Sequence, residues 1–413
     1  MVVTKRFKTT NIGAIPEDWD VATFGDVAEP DPEALSSKTQ PYFRFNYVAL
    51  EDVSRGKLVG SSEQVFATAP VRARRVIRRG DILIGTVRPN LQSHLLFQGG
   101  SGNWICSTGF CVLRPKQKRA NSKYLFAHLF TSAVSKQIEA TIAGSSYPAI
   151  TQRDIRGLEI PVPPTIEEQA AIAKALADAD GLIETLEQLI AKKLDIKQAA
   201  MQQLLTGKTR LSGFTGAWRS VKLGTLGAFL KGSGVSKAQA HSGLLPCVRY
   251  GELYTLHDNV IRRFGSGISA EVAQSALQLQ IGDVLFAGSG ETKEEIGKCA
   301  ALVDRVQAYA GGDIIVLRGS SECPAFLGYY LNCPQIQAQK ASKGQGDAVV
   351  HISAKALGDI ECSLPELSEQ EAIAGVLLDM DRETGSLTMR LRKTREVKQG
   401  MMQQLLTGKV RLV

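Results

Sequence analysis

The chain has 413 residues, 44% hydrophobic and 22% charged, enough apolar material for two or three ordinary globular domains. Lysine and arginine total 49 against 41 aspartate and glutamate, a net charge of +8 that permits a polyanionic partner without requiring one. Seven cysteines (Cys106, Cys111, Cys247, Cys299, Cys323, Cys333 and Cys362) are scattered, with no CxxC and no histidines clustered beside them. That excludes a zinc ribbon and a thioredoxin-type pair, and it suits free thiols in a reducing cytoplasm. Residues 1–13 lack the apolar core of a secretory signal, and no apolar run reaches the roughly 18 residues of a membrane span.

Residues 1–160 read as a first α+β module. Strand-forming runs flank the Gly80-Asp81 turn within residues 76–87, another run lies at 111–114, and residues 124–141 have a helical pattern. Basic and amide side chains gather near the turns. Arg72, Arg74, Arg75, Arg78 and Arg79 fall within eight positions, and Arg88, Asn90 and His94 follow the Gly-Asp segment. DNA readers need lysine and arginine for phosphates, and arginine, asparagine, glutamine or serine for base edges. These residues, Arg79 excepted, are therefore the first module's DNA-contact candidates.

Residues 161–211 predict a long helix. Ile172, Leu176, Ala179, Ile183, Leu186 and Ile190 step by four and three, the spacing of a coiled-coil seam. Thr165 and Glu168 stand at capping-box spacing, Pro163 and Pro164 block extension backwards, and Gly207 sits where a left-handed cap would end the helix. About 40 residues at 1.5 Å each give a rod of about 60 Å.

Residues 212–362 form a second module with strand candidates at 279–287 and 313–318 and a helical stretch at 325–341. Its DNA-contact candidates are Lys231, Ser233, Ser236 and Lys237 in a glycine-rich cationic loop, with Arg249, Tyr250, Ser289 and Lys293. Residues 363–413 repeat the long helix. Ile373, Leu377, Leu387 and Leu391 form its seam, Ser368 and Glu371 its expected cap, and Gly408 its terminator.

The chain is thus written twice. Residues 201–211 (MQQLLTGKTRL) and 402–412 (MQQLLTGKVRL) agree at ten of eleven positions. Upstream, Glu168-Gln169 recurs as Glu369-Gln370, Gly80-Asp81 as Gly282-Asp283, Gly144 as Gly346, Ile150 as Ile352, and Trp19 as Trp218. The module interiors have diverged while the ends have not. If the second helix pairs with the first it must run back along it. The result is two modules on an antiparallel helix pair with a pseudo-twofold repeat, built to meet a two-part target.

Catalytic motifs fail one by one. Phe286-Ala287-Gly288-Ser289-Gly290 matches the FxGxG turn of many DNA methyltransferases, but no Asp/Asn-Pro-Pro-aromatic segment accompanies it. Gly297-Lys298 lacks the rest of a P-loop. No HExxH, GxSxG or nuclease carboxylate cluster is present. A non-catalytic binding subunit, with no catalytic residues and no metal ligands of its own, is the expectation. A protein–protein adaptor remains open on these residues.

The paired QQLLTGK-x-RL helix ends, the helix openings PPTIEEQAAIA and PELSEQEAIAG, and the segments GDILIGTVRPNL and GDVLFAGSGETKEEIGK resemble the specificity subunits of type I restriction–modification enzymes over nearly the whole chain. The second exit, IECSLPELSEQ, lacks the IPVPP of the first. The resemblance implies two target-recognition domains, each reading half of a bipartite site in double-stranded DNA, and helices that fix the gap. It also implies two modification subunits that carry S-adenosylmethionine and methylate adenine, and restriction subunits using ATP and Mg as further partners. This chain would bind no cofactor and no membrane. A specificity subunit of a stand-alone adenine methyltransferase or of another phage-defence complex would have the same architecture.

Overall fold

The computed structural model describes residues 6–142 and 148–412, so the expected pairing of Gly144 with Gly346 lies outside the described residues. The chain divides into two compact units, Met1–Glu187 with Met389–Val413, and Gln188–Thr388.

In the first unit, strand Asp20–Thr23 pairs antiparallel with Glu159–Val162, so the chain enters and leaves the module side by side. Between them lie two four-stranded sheets. One has the order His94–Leu96, Ile82–Gly85, Phe110–Pro115, Ala28–Pro30, and the other Ser62–Val65, Arg44–Val48, Trp104–Ser107, Ala73–Val76. The central strands are buried on both faces, which is why they read as continuous apolar runs. Ile82, Ile84, Cys111 and Leu113 face a core with Trp19, Tyr124 and Ile160, whereas Leu83, Phe110 and Val112 face Val48, Ile77 and Cys106.

The second unit repeats this frame. Ala228–Lys231, Ile314–Arg318, Val284–Ala287 and Cys299–Ala301 form one sheet; Ser266–Ile268, Leu245–Val248, Tyr309–Ala310 and Leu277–Gln278 form the other. Each second sheet contains one parallel pair among antiparallel ones.

The structure refines two of the sequence readings. The strands on either side of the Gly80-Asp81 turn, Ala73–Val76 and Ile82–Gly85, belong to different sheets, and the turn carries the chain between them. Gly80 supplies a φ of +92°. Buried Asp81 then locks the turn, accepting the Arg78 N–H at 2.8 Å and two bonds from Arg114 at 2.9 and 2.8 Å. Gly282, Asp283 and Arg318 repeat the device, with Arg318 donating at 2.9 and 2.6 Å. The stretches 124–141 and 325–341 are helical as expected, with a break in each. Each comprises two helices, Ser122–His128 with Ser132–Ile142 and Pro324–Tyr330 with Pro334–Lys343. The Thr131 hydroxyl donates to the His128 carbonyl at 2.7 Å in the first break, and Pro334, which has no N–H to donate, opens the helix after the second.

The long helices are Ile166–Leu204 and Leu367–Leu405, 39 residues each. In the first unit, Glu168 meets Arg411, Asp180 meets Lys398 at 2.5 Å, and Glu187 meets Arg395 at 2.6 Å. One number falls as the other rises, so the segments are antiparallel. In the second unit Lys193 meets Glu383 at 2.7 Å, Lys197 meets Asp381, and Arg210 meets Glu369 at 2.5 Å, again antiparallel. Ile172, Leu176, Leu186, Ile373, Leu377 and Leu391 are buried along the seam, while Ile183, Ile190 and Leu387 are half-buried.

The helix ends are also part of the module cores. Ile172 and Leu176 join Met402, Leu405 and Leu406 in the core around Trp19, and Ile373 and Leu377 join Leu204 and Leu205 in the core of the second unit. The Thr165 hydroxyl caps the Glu168 N–H at 3.2 Å as expected. The expected Ser368 cap is misplaced. Leu367 already lies in the helix, and Ser368 instead donates to the Glu366 carboxylate at 3.0 Å. Gly207 and Gly408 close the helices at φ of +67° and +69°.

Candidate nucleic-acid interface

The candidate residues occupy strand ends and loops of the two modules. In the first, Arg75 pairs with Asp31 and Arg78 with Glu33 at 2.7 Å. Arg74 lies 5.0 Å over the Phe66 ring and donates to the Ala73 carbonyl at 2.8 Å. Arg72 is exposed.

Arg88 and Asn90 stand exposed on the turn after strand Ile82–Gly85. That turn is strained, because Arg88 and Gln92 flank it at φ of +49° and +54° without being glycine. Backbone strain of this kind persists where the surrounding structure over-determines it. His94, by contrast, is 1% exposed, and burial pushes its imidazole down to about 4. With Asn90, Gln92, Ser135 and Glu139 it lines a small cavity of ≈ 80 Å³.

In the second module Lys231 is exposed at the end of strand Ala228–Lys231, and Ser233, Ser236 and Lys237 are exposed on the loop that follows. The Ser233 hydroxyl donates to the Ser275 carbonyl at 2.6 Å, and the Ser236 N–H to Gln239 at 2.9 Å. Val235 anchors the loop, a buried β-branched residue held at φ +56° among Cys247, Ile268 and Tyr309. Arg249 is half-buried and precedes the short helix Tyr250–Thr255, where Tyr250 is exposed; Lys293 is exposed beyond strand Ser289–Gly290. Ser289 is 4% exposed and shares a cavity of ≈ 380 Å³ with Lys231.

His351 lines the same cavity, and the sequence reading passed over it. Its signal was available, since His351 sits one place before Ile352, the repeat partner of Ile150. The glycines that imitated a cofactor turn have a packing role. A Cβ on Gly288 would lie 2.9 Å from the Asp313 carbonyl, and one on Gly290 2.7 Å from the Tyr254 hydroxyl.

Two α+β modules of common frame, each completed by paired long helices and each carrying its own set of cationic and hydrogen-bonding loops, define a two-part recognition protein. A family model described as the type I restriction modification DNA specificity domain matches residues 16–193 and again 216–397. The chain belongs to that family and is a type I specificity subunit with two recognition domains. It is 26% identical over 450 residues to a putative type I restriction enzyme MjaX specificity subunit of Methanocaldococcus jannaschii, covering 99% of this chain and 97% of that one. The HindI specificity subunit of Haemophilus influenzae is 24% identical over 44% of this chain and 39% of its own. Among solved structures, the HsdS subunit of Thermoanaerobacter tengcongensis superposes with a TM-score of 0.52 at 25% identity, over 96% of this chain and 98% of that one. An S subunit from M. genitalium has the same fold, with a TM-score of 0.60 at 16% identity over 98% and 99% of the two chains. No helix among the described residues is long and apolar enough to cross a membrane.

Proposed function

We propose that each module reads one half of a bipartite duplex DNA site, that the long helices set the unread gap between the halves, and that the chain does no chemistry itself. The observation that carries this reading is a shared frame with divergent reading edges. Both modules hold their Gly-Asp turns, Arg clamps and helix sockets in common, yet the loops that follow the central strands differ in length and chemistry. The turn from Ile84 to its strand partner His94 is three residues shorter than the one from Phe286 to Cys299. The exposed Arg72, Arg88, Asn90, Lys231, Lys237 and Lys293 supply the phosphate and base-edge donors such a reader uses.

Methyl transfer on this reading belongs to two modification subunits that dock on the helices and hold S-adenosylmethionine, and cleavage to restriction subunits using ATP and Mg. Exposed apolar positions Leu182, Leu189, Leu194, Ile196, Met389 and Val397 on the helices suit docking. Seven free cysteines suit a cytoplasmic setting. A genome-wide map of methylated adenines, made with and without this gene, tests the whole. Loss of one bipartite motif of fixed gap is expected; identical maps from cells that express the modification subunit would overturn it.

A further inference from the structure

We infer that Ser289 and His351 form the side-chain pair by which the second module discriminates one base pair of its half-site, with Lys231 beside them for the adjoining phosphate. This rests on the DNA-reading role proposed above and assigns residues to it.

The two modules keep one backbone frame at this point. In the second, Ser289 faces His351 across a short antiparallel pair, and the Ile352 N–H donates to the Gly288 carbonyl at 3.0 Å. In the first, Val87 faces Ala149 in an antiparallel bridge, and the Ile150 N–H donates to the Thr86 carbonyl at 2.9 Å. The residue pairs are therefore equivalent, but one is polar and the other apolar. A pair with no role beyond holding the strands together has no need of a serine and a histidine where valine and alanine serve.

The chemistry of the polar pair suits a base edge. Ser289 Oγ lies 2.9 Å from His351 Nδ1, which fixes the imidazole plane and leaves Nε2 as the ring's outward hydrogen-bonding atom. His351 is exposed while Ser289 is 4% exposed, so the ring stands outward on a buried support. The strand is closely packed at this point, because a Cβ on Gly288 or Gly290 would meet the Asp313 carbonyl or the Tyr254 hydroxyl. The pair lines the ≈ 380 Å³ cavity together with Phe229, Ile315, Ala354 and Lys231. Lys231 is exposed, and its ammonium is accessible to a phosphate.

The test is selection of duplexes from a randomised double-stranded library by the full-length chain in its native complex. The parent is expected to enrich a two-part motif; if it enriches none, the DNA-reading role itself fails. His351→Ala and, separately, Ser289→Val are expected to lower the preference at one position of one half-site by at least about fivefold, the low end of what one base-edge contact discriminates. The other half-site stays unchanged, which also shows that the variant is folded. The graft Val87→Ser with Ala149→His is expected to alter preference in the other half-site only. Unchanged preference at both half-sites in the His351 and Ser289 variants, or equal loss at both, would overturn the assignment.

Discussion

Replacing Arg411 with methionine tests how the chain closes its first unit. Arg411 Nε and Nη2 donate to the two carboxylate oxygens of Glu168, the second at 2.6 Å, and Nη1 reaches both Asp18 oxygens at 3.1 and 3.0 Å. Glu168 is 1% exposed, whereas the Asp18 side chain is 55% exposed. Losing the Asp18 contact costs about 0–1 kcal/mol, as for any surface pair. Losing the Glu168 contact leaves a buried carboxylate without its cation, a change that costs about 3–5 kcal/mol in a fully enclosed pair. The Arg411 side chain is 19% exposed, so water reaches the vacated place, and about 2–4 kcal/mol is expected. Methionine retains an apolar stem over Trp19, whose ring centroid is 5.7 Å from the guanidinium, so the loss is chiefly electrostatic. For a unit of about 200 residues, at about 2–4 °C per kcal/mol, that is a fall in Tm of roughly 4–16 °C. Thermal unfolding reads the size, and amide exchange reads the place, with protection lost at the paired strands Asp20–Thr23 and Glu159–Val162. Adding Glu168→Gln should recover at least half of the loss, because a neutral amide leaves no orphaned charge. A single substitution within about 0.5 kcal/mol of the parent, or no recovery in the double variant, would refute the argument.

Four other outcomes follow from the same geometry. Gly408→Ala should destabilise the first unit by more than about 1 kcal/mol, and by more than Gly207→Ala does the second, read by urea titration; a Cβ at Gly408 would lie 2.5 Å from Pro16, against 3.3 Å from Trp218 at Gly207. Lys231→Ala should weaken DNA binding about equally for all sequences and lower the salt slope by about one, measured by titration at several salt concentrations. Removing residues 192–195 together with 393–396 takes about 6 Å from each helix and should shorten the unread gap by about one or two base pairs in the methylation map; an unchanged gap with activity retained would sink the ruler. Burial holds the His94 and His128 imidazoles at about 4 and about 3, while the unfolded chain takes up those protons near 6.5. Between those values the unfolded state binds more protons, so first-unit stability is complete above about pH 6.5 and falls as pH drops towards 4, by about 1 kcal/mol per pH unit for each histidine. Urea midpoints at about pH 7 and about pH 5 should show the fall, and His128→Leu should reduce it.

What was legible in the sequence was what local periodicity encodes. The helices announced themselves through a seam at Ile172, Leu176 and their repeats, and through Gly207 and Gly408, because a left-handed terminator needs a particular residue. The strands around Gly80-Asp81 were legible as strands but not as members of two sheets. A doubly buried strand such as Ile82–Gly85 has no polar face to show which neighbour it joins. Ser368 misled as a cap because the second helix begins one residue before it, at Leu367. At the candidate interface, charge pointed to Arg75 and Arg78, but nothing local to residues 72–79 reveals that Asp31 and Glu33 have claimed them. His351 is marked in the sequence only by its place in the repeat, one position before Ile352, because its partner Ser289 lies 62 positions away and only the strand pairing brings them together.

The pattern of identity and divergence along the chain has a physical cause in these contacts. Each duplicated helix end closes the module of the opposite repeat. Arg210, at the end of the first helix, binds Glu369 at the start of the second and lies 5.8 Å from the Trp218 ring, while Arg411 binds Glu168 and lies over Trp19. Gly207 and Gly408 lie against the same two tryptophans. Two copies of one peptide, each with an arginine and a left-handed glycine, therefore fill two sockets of one design, each built from a tryptophan and a buried glutamate. Loss of either arginine without its socket would orphan a buried charge, and a side chain at either glycine would meet the tryptophan at a positive φ, so these positions of the duplicated helix ends are held in common. Val87 and Ala149 in one module, and Ser289 and His351 in the other, sit on the same frame but meet no such socket. A subunit that must keep one assembly while facing two different half-sites needs that division, with constraint at the helix ends and freedom at the loops.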